Sequence, residues 1–424
     1  MVCFESSKGN TRNFKIIKSM NILFLSLTFS EKGHTSFYED FLHEFRKNGD
    51  SVYVACAREK RSNEPIGLTE HNGMKVLRVG TGNVTGNIGL IEKGISTLTI
   101  DSLFLKAINK YFKDIKFDFI MYPTPPITLV NTIADVKKRT SAVTYLLLKD
   151  IFPQNAVDLG MMTKTGLKGL IYKMFRRKER KLYSISDYIG CMSPANVKYV
   201  LDHNPEVSKD IIEVCPNCIL KPNVDPTTID KDPSSIREKY LIPNEATIFL
   251  YGGSLGKPQG IDFLIKCLDN QKENGKAFFI VVGKGTEYGK LRRFIDESGI
   301  RNAILLDYLP KDEYQELADK CDVGLIFLDY RFTIPNFPSR LLACLTAAMP
   351  VLVATDPNCD MGQIAEDNGF GVRCMSNDVE GFAKAVDAII NADRKQMGKN
   401  AWEFFLNNYT VEKGYEIIMK HFNK

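Results

Sequence analysis

Apolar residues run through this chain in short, near-continuous stretches, each followed by polar sequence with helical spacing. NILFLSLTF (21–29) is the first, and a run without alternation reads as a parallel strand buried on both faces. SEKGHTS follows as a loop, FYEDFLHEFRKNG as a helix closed by Gly49, and SVYVACA as the next strand. This is a βαβ opening. FDFIMYPT (117–124), SAVTYLLL (141–148) and DYIGCMS (187–193) extend the series. VDPTTIDKDPSSIREKYLIPNEA (224–246) is polar and proline-rich and predicts a domain boundary. A second series then runs through ATIFLYGG, KAFFIVVGKG, AILLDYLP, VGLIFLD, MPVLVAT and VRCMS, with helical stretches between. The pattern predicts an α/β chain of two tandem Rossmann-like, doubly wound domains with a ligand cleft between them. The expected division is a polar leader over 1–19, a first domain over 20–223 and a second over 224–404. A last helix, 405–424, is expected to pack back on the first domain.

Composition changes this picture little. At 424 residues, with 44% hydrophobic and 25% charged, the chain supports large cores without metal or disulfide staples. The ten cysteines show no framework spacing, which suits reduced thiols in a cytosolic setting. Cys215-Pro-Asn-Cys218 is a lone CxxC with no second pair, so neither zinc nor redox work is expected of it. No apolar stretch is long enough to span a membrane. Charge is unevenly placed: net +5 overall, with eight basic residues and one acidic over 164–181. Leu167, Leu170, Ile171, Met174, Phe175 and Leu182 share one face of that segment. Two readings stay open: a basic amphipathic helix on an anionic membrane surface, or a core-facing helix with a solvated back. Basic residues are not spread and interleaved with aromatics, so nucleic acid is not expected as a partner.

The candidate chemistry gathers at predicted strand ends. YGGSLGKPQG (251–260) breaks a strand with glycine and restarts as a helix. Such a turn lets a ligand approach closely and presents unpaired N–H groups, so Gly253, Ser254 and Gly256 with Lys257 form a candidate diphosphate seat. A plain strand-to-helix turn is the alternative. The stretch matches neither G-x-G-x-x-G nor a P-loop, which argues against a nicotinamide dehydrogenase. Gly283 and Lys284 in VVGKG, and Pro338, Ser339 and Arg340 at the start of PSRLLACLTAA, are further donor-side candidates. Asp150, just past an apolar strand, is the candidate carboxylate for an acceptor hydroxyl. His34 is the candidate cleft histidine, and Gly33 lets its loop pass close to ligands. Glu366, after a further strand end, is a candidate for donor hydroxyls.

These pieces together resemble retaining glycosyltransferases of the GT-B fold, closest to family 4 and the relatives that build bacterial capsule and O-antigen polysaccharides. The resemblance rests on GGSLGKPQG and VVGKG one unit later, LLLKDIFPQNA (146–156), MSPANV (192–197), and NFPSRLL with AAMPVLVATD (336–356). It runs from about Met20 to the C-terminus. It implies a nucleotide-sugar donor used as substrate without a metal cofactor, and a lipid-linked or polysaccharide acceptor. It also implies a cytoplasmic site, with peripheral membrane contact through 164–182, and places the nucleobase by Tyr308, Leu309 and Pro310. The sequence departs from the family where its Glu-x7-Glu pair falls on Pro335 and Ala343, and Lys149 stands where many relatives have histidine. Within the basic turn of the family, Ser254 and Gln259 stand at the Arg and Lys positions. A sugar-nucleotide epimerase of the same shape, or a non-catalytic nucleotide-sugar binder, are the alternative readings.

Overall fold

Strand β1 (Asn21–Ser26) shows how the sequence builds two cores at once: Ile22 and Phe24 enter one, Leu23 and Leu25 the other. Alternate side chains of a strand point to opposite faces, so a strand apolar at every position must be covered on both. The computed structural model describes residues 19–30, 36–84 and 90–422. Around β1 lie β2 (Ser51–Glu59), β3 (Gly67–His71), β4 (Met74–Thr81), β5 (Phe119–Pro123), β6 (Val143–Leu148), β7 (Tyr188–Cys191) and β8 (Ile212–Val214). The sheet order is β3-β4-β2-β1-β5-β6-β7-β8. All pairings are parallel except the hairpin β3–β4.

The second sheet holds β9 (Thr247–Gly252), β10 (Ala277–Val282), β11 (Ala303–Leu306), β12 (Val323–Phe327), β13 (Val351–Thr355) and β14 (Gly371–Met375). Its order, β11-β10-β9-β12-β13-β14, is the doubly wound 3-2-1-4-5-6 when counted from its own first strand. Ligands in such sheets bind outside the carboxyl ends of the strands, at the point where the order reverses. That point lies between β9 and β12. Ile248 and Leu250 feed one core of this domain, Phe249 and Tyr251 the other.

The chain crosses between the domains twice, and the crossings touch. Ile219 donates to Tyr409 O at 2.9 Å, and Val411 donates to Ile219 O at 3.1 Å. Helix Arg394–Asn408 buries Trp402 and Phe405 in the second domain, so the break expected at 404/405 falls inside a helix. The return to the first domain comes at Tyr409–Thr410. Helix Val411–Met419 then packs on helix Phe37–Lys47, with Tyr415 edge-on to Phe45 at 4.9 Å and Phe422 to Phe119 at 4.9 Å. His421 stacks on Tyr188 at 3.7 Å and reaches Glu213 at 2.7 Å.

The basic segment forms helix Gly166–Ile185, but not with a single buried stripe. Phe175 and Leu182 pack into the first domain, whereas Leu170 is 62% and Ile171 49% exposed. The Leu167 side chain and most of the expected leader lie outside the described residues.

Candidate functional site

At the end of β9 the backbone turns at Gly252 and Gly253, and the loops after β9 and β10 press together. Gly253 donates to Val282 O at 3.0 Å and Leu255 to Lys284 O at 2.8 Å. A Cβ on Gly283 would meet Gly253 O at 1.8 Å, so a side chain there would force the loops apart. A Cβ on Gly252 would meet the Tyr314 hydroxyl at 2.1 Å, so this glycine lets a tyrosine lie flat on the strand end. Tyr308 and Leu309 come from the loop after β11, Tyr314 from helix Lys311–Asp319, and Arg340 and Ala343 from helix Arg340–Thr346. Together these residues enclose about 440 Å³ at the carboxyl ends of β9, β10 and β11.

The charge in this cavity is positive. The Arg340 guanidinium lies 4.7 Å from the centroid of the Tyr251 ring. Its Nη1 is buried without a hydrogen-bond partner, and among the described residues no carboxylate forms an ion pair with it. Tyr251 in turn donates its hydroxyl to Ser254 O at 2.7 Å. Burial pushes the Tyr251 phenol above its ordinary range, and the adjacent guanidinium pulls it back. Lys284 stands at the rim, largely exposed, 3.4 Å from Asp307 and 5.8 Å from the Tyr308 ring centroid.

Thus Gly253, Ser254, Gly283, Lys284, Tyr308, Leu309 and Arg340 come together as the sequence suggested. Others do not. The Gly253 amide is spent on Val282 O and the Gly256 amide on the Gln259 side chain at 3.1 Å. Lys257 opens the short 3-10 turn Lys257–Gln259, exposed and outside the cavity lining. The glycine-rich turn therefore packs loops closely and has two of its amides, those of Gly253 and Gly256, already bonded, while Ser254 stays at the cavity wall. Pro310 and Pro338 lie outside the lining, and Ser339 is engaged by Asn217. Glu366 is turned away: helix Met361–Asp367 runs from the strand end outward, and the carboxylate pairs with Arg373 at 2.9 Å. Gly33 and His34 lie outside the described residues.

Asp150 sits at the carboxyl end of β6, across the seam from this cavity. Both carboxylate oxygens accept from Asn155 Nδ2, at 2.7 and 2.9 Å. Burial pushes its pKa up to about 6, against the pull of the Asn155 bond. Lys149 beside it is turned inward and donates to Cys215 O at 2.8 Å. Cys215 and Cys218 are buried free thiols with raised pKa values, which fits packing rather than reactivity.

The two domains meet along a hydrogen-bonded seam. Thr333 donates its amide to Asp158 at 2.8 Å, Asn196 donates to Pro335 O, Ala195 donates to Asp360 at 2.9 Å, and Asn217 donates to Ser339 at 2.7 Å. Sequence reading missed Tyr314 as a cavity wall, Tyr251 buried against Arg340, and Asp356 and Asp360 after β13. Asp356 is 2% exposed, with its pKa pushed by burial to about 6. Its signal was available: it directly follows an apolar strand, as Asp150 does.

Residues 232–404 match the family described as glycosyl transferases group 1. The probable glycosyltransferase WbjE of Pseudomonas aeruginosa is 22% identical over 321 residues, covering 76% of this chain and 78% of its own. Among solved structures, WaaG, a glycosyltransferase involved in lipopolysaccharide biosynthesis, superposes with a TM-score of 0.65 at 15% identity, over 94% of this chain and 99% of its own. HepE of Anabaena in complex with UDP superposes with a TM-score of 0.67 at 14% identity, over 95% and 99%. At such identities the superpositions speak to fold, which is GT-B. No helix among the described residues is long and apolar enough to cross a membrane.

Proposed function

The chain carries a glycosyl transferases group 1 domain in the GT-B fold, and from that premise we propose that it moves a sugar from a nucleoside diphosphate onto a lipid-linked saccharide of a surface polysaccharide. One observation carries the donor assignment: Arg340 lines the cavity with a buried Nη1 that has no hydrogen-bond partner among the described residues. Burying a donor nitrogen without a hydrogen-bond partner is costly, and a diphosphate brought into the cavity removes that cost. Lys284 adds a second, solvent-facing charge. Protein cations then stabilise the leaving diphosphate, so transfer runs without a metal ion and, by family resemblance, with retention. Tyr308, Leu309 and Tyr314 offer flat apolar surface to the base. Ala343 supplies no carboxylate for ribose hydroxyls, a role glutamate takes in the family. HepE, a neighbour in fold, forms a complex with UDP, and WaaG is involved in lipopolysaccharide biosynthesis; both support the reading.

Asp150 is the group proposed to accept the acceptor hydroxyl's proton, and helix Gly166–Ile185 is proposed to meet the inner face of the membrane. The test is direct. Purified protein is incubated with UDP-, GDP- and dTDP-sugars and a lipid-pyrophosphate saccharide, and nucleotide release and product mass are followed. Transfer is expected, and Arg340→Ala is expected to weaken nucleoside diphosphate binding by roughly tenfold to a hundredfold, the range for losing a hydrogen-bonded charge. An isomerised donor, or binding without turnover, overturns the assignment.

A further inference from the structure

We infer that Asn217 is a positioning residue for the donor site, through which closure of the two domains reaches Arg340. The inference rests on Arg340 being the counter-charge to the diphosphate. Asn217 lies two residues before Ile219, at the point where the outgoing chain bridges to the returning one at Thr410. It is 7% exposed, and its Nδ2 donates to Ser339 Oγ at 2.7 Å. Ser339 immediately precedes Arg340, whose guanidinium forms the cavity wall.

The chemistry of Ser339 makes this more than a packing contact. A serine at the start of a helix ordinarily turns its hydroxyl onto a nearby backbone N–H. Ser339 precedes helix Arg340–Thr346 with its backbone already helical (φ −66°, ψ −8°) and makes no such bond. Its hydroxyl serves the other domain instead. Separation of the domains removes the Asn217 donor, and with it the tether on the backbone that carries Arg340. The remaining seam bonds fall at Thr333, Pro335 and Asp360, farther along the chain from Arg340.

The experiment is a double-mutant cycle read by calorimetric titration of UDP, GDP and dTDP, with melting temperatures recorded alongside. Wild type is expected to bind at least one of the three, and Arg340→Ala to weaken it. Asn217→Ala and Ser339→Ala are each expected to weaken the same nucleotide by roughly three- to tenfold, and the double variant no further than either single one. Ser339 is exposed, so its variant keeps the test valid if Asn217→Ala folds poorly. Wild-type affinity in Ser339→Ala, additive losses, or a lowered melting temperature with unchanged affinity overturns the inference while leaving the diphosphate reading intact. Failure of all three nucleotides to bind wild type, or indifference to Arg340→Ala, overturns that reading and this inference together.

Discussion

Asp150 carries opposite consequences for stability and for activity. Its folded pKa, about 6, lies above the ordinary carboxylate value because burial disfavours the charge. The folded protein therefore holds this proton more tightly than the unfolded chain. The stability this group contributes is present below the ordinary carboxylate range and is lost as pH rises through about 6. A proton acceptor needs the reverse, so activity should rise over that interval. Asp150→Asn is expected to lower turnover by roughly a hundredfold or more and to abolish the acid limb near pH 6. The measurement is a pH–rate profile with Asp356→Asn as control, since Asp356 also titrates near 6. An acid limb that survives in Asp150→Asn and vanishes in Asp356→Asn reassigns the role. At this scale the sequence was legible only in part. Position after an apolar strand picked out Asp150 and Lys284, because strand ends mark the cleft whatever the side chains do, whereas Arg340 came from the family resemblance as a stand-in for its missing basic residues. It gave no means of knowing that the Gly253 and Gly256 amides are already bonded. Nor did it show that Glu366 lies in the last turn of its helix, roughly 7.5 Å from the helix start at 1.5 Å per residue.

Among the elements, helix Gly166–Ile185 divides into two parts. Its later half is held by Phe175 and Leu182 in the core, and by Arg176 with Glu179 and Arg180 with Glu206, both at 2.6 Å. Its earlier half exposes Leu170 and Ile171 beside Lys173, with Met161 62% exposed nearby. Exposed aliphatic groups among lysines suit an anionic bilayer, where the chains insert and the ammonium groups meet lipid headgroups. Changing both Leu170 and Ile171 to Asp is expected to cut binding to anionic liposomes by roughly tenfold or more, with the melting temperature unchanged. Flotation through a sucrose gradient reads this out, and unchanged flotation removes the membrane role. The strands were the most legible elements, since β1, β5, β6 and β9 are apolar almost throughout. The hairpin β3–β4 was passed over although Asn72-Gly73, both at positive φ, marks its turn. Helix Leu90–Tyr111 was passed over as well.

In the whole molecule, the two domains share one polypeptide twice over. Helix Val411–Met419 completes a core of the first domain with Val411, Ile418 and Met419, all essentially buried. Ile418→Ala is expected to cost about 2–5 kcal/mol, measured by urea denaturation. A change well under that range means that the helix merely rests on the surface. The division into two α/β halves was legible because both sheets need apolar strands throughout. The exact point of return was not, since helix Arg394–Asn408 has no pattern break at 404. The pair of strands joined at Ile219 and Thr410 has a mechanical consequence. Two pins set side by side leave a door one freedom, to swing. Sliding or twisting would have to tear the pins apart. The opening of the gap is then described by a single angle, and a molecule that grips both rims at once sets the value of that angle.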